Sequence, residues 1–276
     1  MSALQSLEAG EHRLTCIACG RGPKDRTLGV TVEPDGAAVA HCFRCAYVET
    51  HRPDRGIRFH PGKPVSRPVA PLKRESLSEY GTELFEACTG LRGTVGEQYL
   101  LARDCAVPPA DGDLRYCADL RHPSGHTGPA LVALVTHAET RAPLTLHRTW
   151  IHSDGRKADV DPPRLLLGGH RKAGGVIRLW PDEAVTTGLT VTEGVETGLS
   201  LARDYTPVWS MLDAGNLAAL PVLEGIGVLV IGADHDPAGI EAATACADRW
   251  AAAGVDVRVI APECERTDWN DARAAA

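Results

Sequence analysis

Several things are missing from this 276-residue chain, and each absence excludes a class. No apolar run reaches the ~18 residues that a membrane-spanning helix requires, so no membrane span is expected. The start, MSALQSLEAGEHRL, lacks the charged-then-apolar order of a secretory leader. No GxxxxGK[ST] loop occurs, so there is no phosphate cradle for an ATPase or a fused helicase motor. No internal repeat is apparent. Lysine is scarce, 5 of the 29 basic residues, which reads as the composition of a GC-rich genome and carries little functional weight. The nine cysteines are an odd number. Four form two CxxC pairs and five are scattered (Cys88, Cys105, Cys117, Cys246, Cys264). That is a poor disulfide framework and a good metal-site pattern for a reducing cytoplasm.

What is present begins with charge. The net charge of −7, read alone, argues against a nucleic-acid coat protein. The balance is uneven: residues 1–75 carry a net of +4 and the rest a net of −11. A basic head on an acidic body suggests a division of labour.

Four segments follow. Residues 1–50 hold short β-type runs, Leu28 to Val32 and Ala37 to Ala40, around a Pro34-Asp35-Gly36 turn. This reads as a hairpin between two cysteine knuckles. Residues 51–74 alternate proline with Arg and Lys and read as a semi-extended basic linker, either a solvated tether or a contact for nucleic-acid phosphates. Residues 75–185 read as an α+β subdomain: helical to about residue 105 with breaks at Gly90 and Gly93, then strands at Leu114 to Cys117, Ala130 to Thr136 and Leu144 to Ile151. In residues 186–276 strands LTVTE, PVWSML, GVLVIGAD and VDVRVIAP alternate with helices. That predicts a parallel sheet covered by helices on both faces.

Cys16-x2-Cys19 and Cys42-x2-Cys45 lie 22 residues apart. Each CxxC turn aims two sulfurs at one ion, so four cysteines predict a closed, structural zinc site in a module too small to fold unaided. A redox dithiol is the plainer alternative, and His41 is a substitute ligand for Cys42. The second constellation is acidic. Glu193 ends one strand before Gly194, and Asp234 and Asp236 end another. Ligands of open α/β sheets bind at the carboxyl ends of strands, and hard carboxylate oxygens suit Mg²⁺ or Mn²⁺. The plainer alternative is a helix-capping Asp and two solvated acids. Asp268, Asn270 and Asp271, in DWND, are a possible rim of the same site.

TEGVETGLSLA, GADHDPAGIEAA and DWND, in that order, resemble the Toprim domain of phage- and plasmid-type primases, and CIACGRGPKDR…CFRC is similar to the zinc ribbon of those proteins. HRTWIHSDGRKA…PRLLLG is similar to the segment that precedes Toprim in them. The resemblance implies a Rossmann-like Toprim fold after a ribbon and an α+β subdomain. It also implies a DNA primase, without a fused helicase, that makes short RNA primers by metal-dependent nucleotidyl transfer. Under it, Glu193 is a general acid/base or metal ligand, Asp234 and Asp236 are metal ligands, and Glu196 is an acid that supports the metal ligands from behind or an auxiliary acid. Lys24, Arg26, Arg148, Lys157 and Arg164 are candidates for template or nucleotide phosphates, each equally readable as a solvated charge. His235 departs from a neutral spacer in the DxD. Phe43 and Tyr47 are candidates for base stacking. Single-stranded DNA, ribonucleoside triphosphates and a separate replicative helicase are the implied partners. A Toprim nuclease and a non-catalytic zinc-dependent single-strand binder are the rival readings.

Overall fold

The computed structural model describes residues 7–19, 22, 25–52 and 73–262, in two compact units, Met1–Val69 and Ala70–Ala276. The first unit is one antiparallel sheet of four strands in chain order: β1 (Gly10–Leu14), β2 (Leu28–Val32), β3 (Ala38–Cys42) and β4 (Val48–His51). Strict alternation along β2 and β3 turns Leu28, Val30, Val32, Ala38, Ala40 and Cys42 to one side. The β2–β3 turn closes at Gly36, whose φ of 84° lies in the left-handed region that glycine enters without strain. Strands β1 and β4 lacked a sequence signal. Gly-Glu-His-Arg-Leu and Val-Glu-Thr-His are mostly exposed, and pairing with β2 and β3 makes them strands. Most of the linker, residues 53–72, lies outside the described residues.

The second unit opens with two short helices. Ser78 caps α1 (Glu79–Ala87) by accepting from the Gly81 N–H, and Thr94 caps α2 (Val95–Ala102) by accepting from the Gly96 N–H. An antiparallel meander follows: β5 (Leu114–Arg121), β6 (Thr127–His137) and β7 (Pro143–Trp150), with β8 (Arg164–Leu166) on the outer edge of β7. Then come β9 (Gly175–Arg178), β10 (Gly188–Thr192), α3 (Val195–Leu201), β11 (Val208–Ser210), α4 (Ala214–Ala219), β12 (Val228–Gly232), α5 (Pro237–Ala252) and β13 (Asp256–Ile260).

β10, β11, β12 and β13 are parallel, in the order β13-β12-β10-β11. Their helices lie on both faces. Leu199 of α3 packs in one buried cluster with Val208 and Ile177, and Trp250, Cys246 and Ala243 of α5 pack in another with Leu189, Val191 and Leu229. The molecule is therefore a mixed α/β protein with a small antiparallel ribbon. The two halves of the second unit share one sheet. β9 pairs antiparallel with β11 on one side and with β6 on the other, which makes nine continuous strands.

Arg178 of β9 holds this junction. It is 4% exposed, and its Nε lies 2.6 Å from Asp182 Oδ1. Nη2 donates to the Ala138 carbonyl at 2.8 Å and Nη1 to the Thr136 hydroxyl. Its guanidinium also lies 4.4 Å from the centre of the Trp209 ring. Among the described residues no helix is long and apolar enough to cross a membrane.

Candidate functional site

The ribbon gathers its four cysteines. All four Sγ atoms lie within 4.8 Å of one another, with Cys16 and Cys45 at 3.7 Å and Cys19 and Cys42 at 3.6 Å. Zinc–sulfur bonds of ~2.3 Å in a tetrahedron imply sulfur separations of about 3.8 Å, so the thiols fit that ion. Burial disfavours the Cys42 thiolate, but the N–H groups of Cys45 and Arg44 outweigh it and bring the thiol down to about 6, while burial pushes Cys19 up. His41 is not a substitute ligand. It neighbours Cys42 on β3 and so points to the opposite face. There its ring meets Phe43 edge-on at 5.2 Å. Phe43 is 64% exposed and lies over Gly29, where an added Cβ would sit 2.6 Å from the ring, and the Arg13 guanidinium is 4.4 Å from the ring centre. Arg26 is exposed and donates to the Arg13 carbonyl at 3.1 Å. The Tyr47 hydroxyl donates to Glu49. Lys24 lies outside the described residues.

In the second unit the parallel strands deliver acids to one edge. Glu193 follows β10, Asp234 and Asp236 follow β12, and Asp213 follows β11. The same strand-end rule that singles out Glu193 applies to Asp213, three residues beyond β11, where no second acid or glycine turn marks it in the sequence. Asp213 caps α4 through Oδ1, which accepts from the Asn216 N–H, and its Oδ2 lies 2.7 Å from Lys172 Nζ. Leu212 before it has a φ of 71°, a left-handed conformation uncommon outside glycine. Burial, reinforced by Asp234, Asp236 and Asp213, raises the Glu193 carboxyl to about 8. Glu193 Oε1 is buried without a hydrogen-bond partner.

Such an atom among carboxylates fits a cation, which would supply the missing partner and offset the repulsion. The acids are looser than the thiols: among the described residues the four cysteines are the one group of three or more ligating side chains gathered tightly enough to hold an ion. Mutual repulsion keeps uncompensated carboxylates apart. Asp236 also caps α5, Oδ1 accepting from the Gly239 N–H at 2.9 Å, so capping occupies one of its oxygens. The Thr197 hydroxyl donates to Asp234 Oδ1 at 3.4 Å. His235 is turned away, donating from Nδ1 to the Pro262 carbonyl at 2.7 Å. Asp268, Asn270 and Asp271 lie outside the described residues.

A cavity of about 40 Å³ lies beside Glu193. Glu193, Gly194, Glu196 and Ser210 line one side, and His147, Thr149 and Arg164 another. Burial, with Arg164 nearby, pushes His147 down to about 4, so the imidazole is neutral at pH 7. His147 was missed because within the run Leu-Thr-Leu-His-Arg-Thr-Trp it reads as an ordinary strand residue.

Two of the candidates are tied into their surroundings. Arg148 is 7% exposed, its guanidinium donates to the Leu166 carbonyl at 3.0 Å and lies 5.3 Å from the Trp150 ring centre. It supports β7 and β8, and its Nε is buried without a hydrogen-bond partner. Glu196 is an ion-paired carboxylate, held by Lys157 and Arg103. Burial alone would raise it, but Lys157, Arg103 and Arg164 hold it down at about 2, ionised throughout the neutral range.

The sequence matches two family models, neither over half of the chain. Residues 188–276 match the Toprim domain, and residues 75–179 match a domain of unknown function, DUF7146. No curated protein matches. Among solved structures, a DNA primase domain from Pseudomonas aeruginosa is similar at 14% identity over 68% of this chain and 59% of its own, with a TM-score of 0.37. The zinc-binding and RNA polymerase domains of the Aquifex aeolicus primase are similar at 13% identity over 96% of this chain and 76% of theirs, with a TM-score of 0.45. The RNA polymerase domain of the Mycobacterium tuberculosis primase is similar at 13% identity over 72% and 68%, with a TM-score of 0.36. The chain spans 59% of the length of the first of these structures. From residue 188 onward, the strand-end acids stand in the segment that matches the Toprim domain.

Proposed function

We propose that the chain is a DNA primase that joins ribonucleotides on a single-stranded DNA template. The observation that carries this reading is the edge of the Toprim sheet, where Glu193, Asp234 and Asp236 follow neighbouring parallel strands and a buried Glu193 oxygen is left unpartnered. In the reaction a 3′-hydroxyl attacks the α-phosphorus of a nucleoside triphosphate, a P–O bond forms, and pyrophosphate leaves. Mg²⁺ or Mn²⁺, held by Asp234, Asp236 and Glu193, would steady the charge that develops on the transferring phosphoryl group. Without a cation Glu193, its carboxyl at about 8, is protonated at neutral pH; a bound cation would ionise it, and the carboxylate would then either ligate that ion or take the hydroxyl proton. Thr197 orients Asp234, and the α5 N-terminus orients Asp236.

Under the same reading residues 1–50 are a zinc ribbon held by Cys16, Cys19, Cys42 and Cys45, and residues 51–74 a basic linker. Residues 75–185 with 186–276 form the catalytic core. Phe43, with Arg13 stacked on it, offers a π-face to an unpaired base. Unwinding is the task of a separate helicase.

The test incubates the chain with single-stranded DNA, labelled ribonucleoside triphosphates and Mg²⁺ or Mn²⁺. Short template-dependent ribo-oligomers are expected. Cleavage of the DNA instead favours the nuclease, and DNA binding with neither product favours the non-catalytic binder; either result overturns the proposal.

A further inference from the structure

Outside the ribbon, the fold brings two distant cysteines face to face. Cys88 caps the C-terminus of α1 in an extended conformation, and Cys117 lies within β5. Beside them Thr89 and Tyr116 exchange both backbone hydrogen bonds, each N–H reaching the other's carbonyl at 2.8 Å. In an antiparallel ladder the pair next to such an exchange faces without hydrogen bonds, at a Cα separation of about 4.5 Å. That lies within the range of about 4.4–6.8 Å that a disulfide spans. Both side chains enter one apolar cluster, so they leave the ladder on the same side. Both are free thiols.

The two thiols are unlike. Cys88 is 7% exposed, and its thiol donates to the Leu84 carbonyl at 3.1 Å. Burial, then the charge and the hydrogen bond of the Cys117 thiol, push Cys88 up to about 12, against the pull of Arg115. Cys117 is only half-buried, so solvent reaches it. Buried cysteine alone is a small apolar filler. Here a buried thiol instead meets a reachable one at disulfide spacing. Among the described residues no third ligating side chain lies close enough to make an ion site of the pair.

We propose that Cys88 and Cys117 are a redox modification site, forming a reversible cross-strand disulfide by exchange with a low-molecular-weight disulfide. With oxidised glutathione, the Cys117 thiolate attacks one sulfur. The glutathione S–S bond breaks, a mixed disulfide forms at Cys117, and the first glutathione leaves as thiolate. Cys88 then gives its proton to solvent and attacks the Cys117 sulfur, and the second glutathione leaves as thiolate. Two protein thiols are oxidised, one glutathione disulfide is reduced to two thiols, and the protons balance. The mixed disulfide also removes the Cys117 charge, one of the influences that hold the Cys88 proton. The bond closes residues 88–117, which contain all of α2, and Tyr99 of α2 donates to Glu196. Neither thiol lines the cavity beside Glu193, so the bond forms whatever reaction the strand-end acids perform.

The test incubates the full chain, supplied with zinc to keep the ribbon thiols on the metal, with oxidised glutathione and no denaturant. Remaining thiols are then blocked and the chain is digested with trypsin. Peptides 75–92 and 116–121 hold the two cysteines. They should be recovered joined, without glutathione, at the expense of the separate peptides, and dithiothreitol should part them. Cys88→Ala, which cannot close the bond, should instead keep one glutathione on Cys117. Cys117→Ser should leave the buried Cys88 unmodified. Peptides that stay separate in wild type, or join only after urea, overturn the proposal. So does a glutathione that persists on Cys117 in wild type, or one that reaches Cys88 in Cys117→Ser.

Discussion

At Gly239, the third residue of α5, backbone and site meet. A Cβ there would stand 2.5 Å from the Asp234 carbonyl oxygen and 3.0 Å from Glu193 Oε1, while the Gly239 N–H is the one that Asp236 accepts. Gly239→Ala is expected to cost about 1–3 kcal/mol of stability through overpacking. It should also weaken Mn²⁺ binding, because whatever gives way is Glu193 or the turn that carries Asp234. Urea midpoints and Mn²⁺ titration check both. Asp113, just before β5, makes a pH prediction. Burial raises its carboxyl to about 6, although Arg178 pulls it down. A carboxyl near 4 in the unfolded chain and near 6 in the folded one contributes stability below pH 4 that is lost as pH rises through 6. Wild type should therefore lose stability relative to Asp113→Asn between pH 4 and 7. All five tryptophans follow residue 149, so their fluorescence during urea unfolding reads the second unit alone.

Among the elements, the ribbon and the β9 junction depend on different forces. The ribbon's buried cluster is small (Cys16, Leu28, Val30, Val32, Ala38, Ala40, Cys42) and contains two of the thiols themselves. Structural zinc contributes roughly 10–16 kcal/mol in such modules. Stripping the metal with a thiol-reactive mercurial should release about one zinc per chain and abolish amide-exchange protection in β2 and β3, leaving tryptophan emission unchanged. Retained protection would mean that the four cysteines do not hold the fold. At β9, Arg178→Met removes a buried guanidinium and leaves the Ala138 carbonyl without its donor, while Asp182, 27% exposed, keeps Arg141 at 2.7 Å. A loss of about 1–3 kcal/mol is expected in urea unfolding; no loss would mean that the strand pairing alone carries the junction.

Across the whole molecule, what could be read from the chain was what local rules govern. CxxC spacing, the Pro-Asp-Gly turn and the apolar strands of the parallel sheet are signals within a dozen residues of themselves, and the structure has elements at those places. β1, β4, β8 and β9 are short and carry little alternation. They exist because long-range pairing makes them strands, and no window along the chain contains that pairing. The continuous sheet is such a case. So is the role of Glu196, whose partners Tyr99 and Lys157 lie 97 and 39 residues away. Asp213 and His147 were hidden for the same reason, since only the folded sheet puts them beside Glu193. The charge split along the chain also takes a clearer meaning. The acidic excess includes four carboxylates at one sheet edge, and Arg164 lines a cavity with one of them, Glu193.

The central claim is that this edge performs template-directed nucleotidyl transfer, and one comparison tests it most directly: ribonucleotide incorporation on single-stranded DNA by wild type and by Asp234→Asn, side by side in Mg²⁺. Short RNA products from wild type, reduced in the variant by more than the roughly 10–100-fold typical of outer-shell substitutions, are predicted. Equal incorporation by the two proteins, or none by a wild type that binds the template, would contradict it.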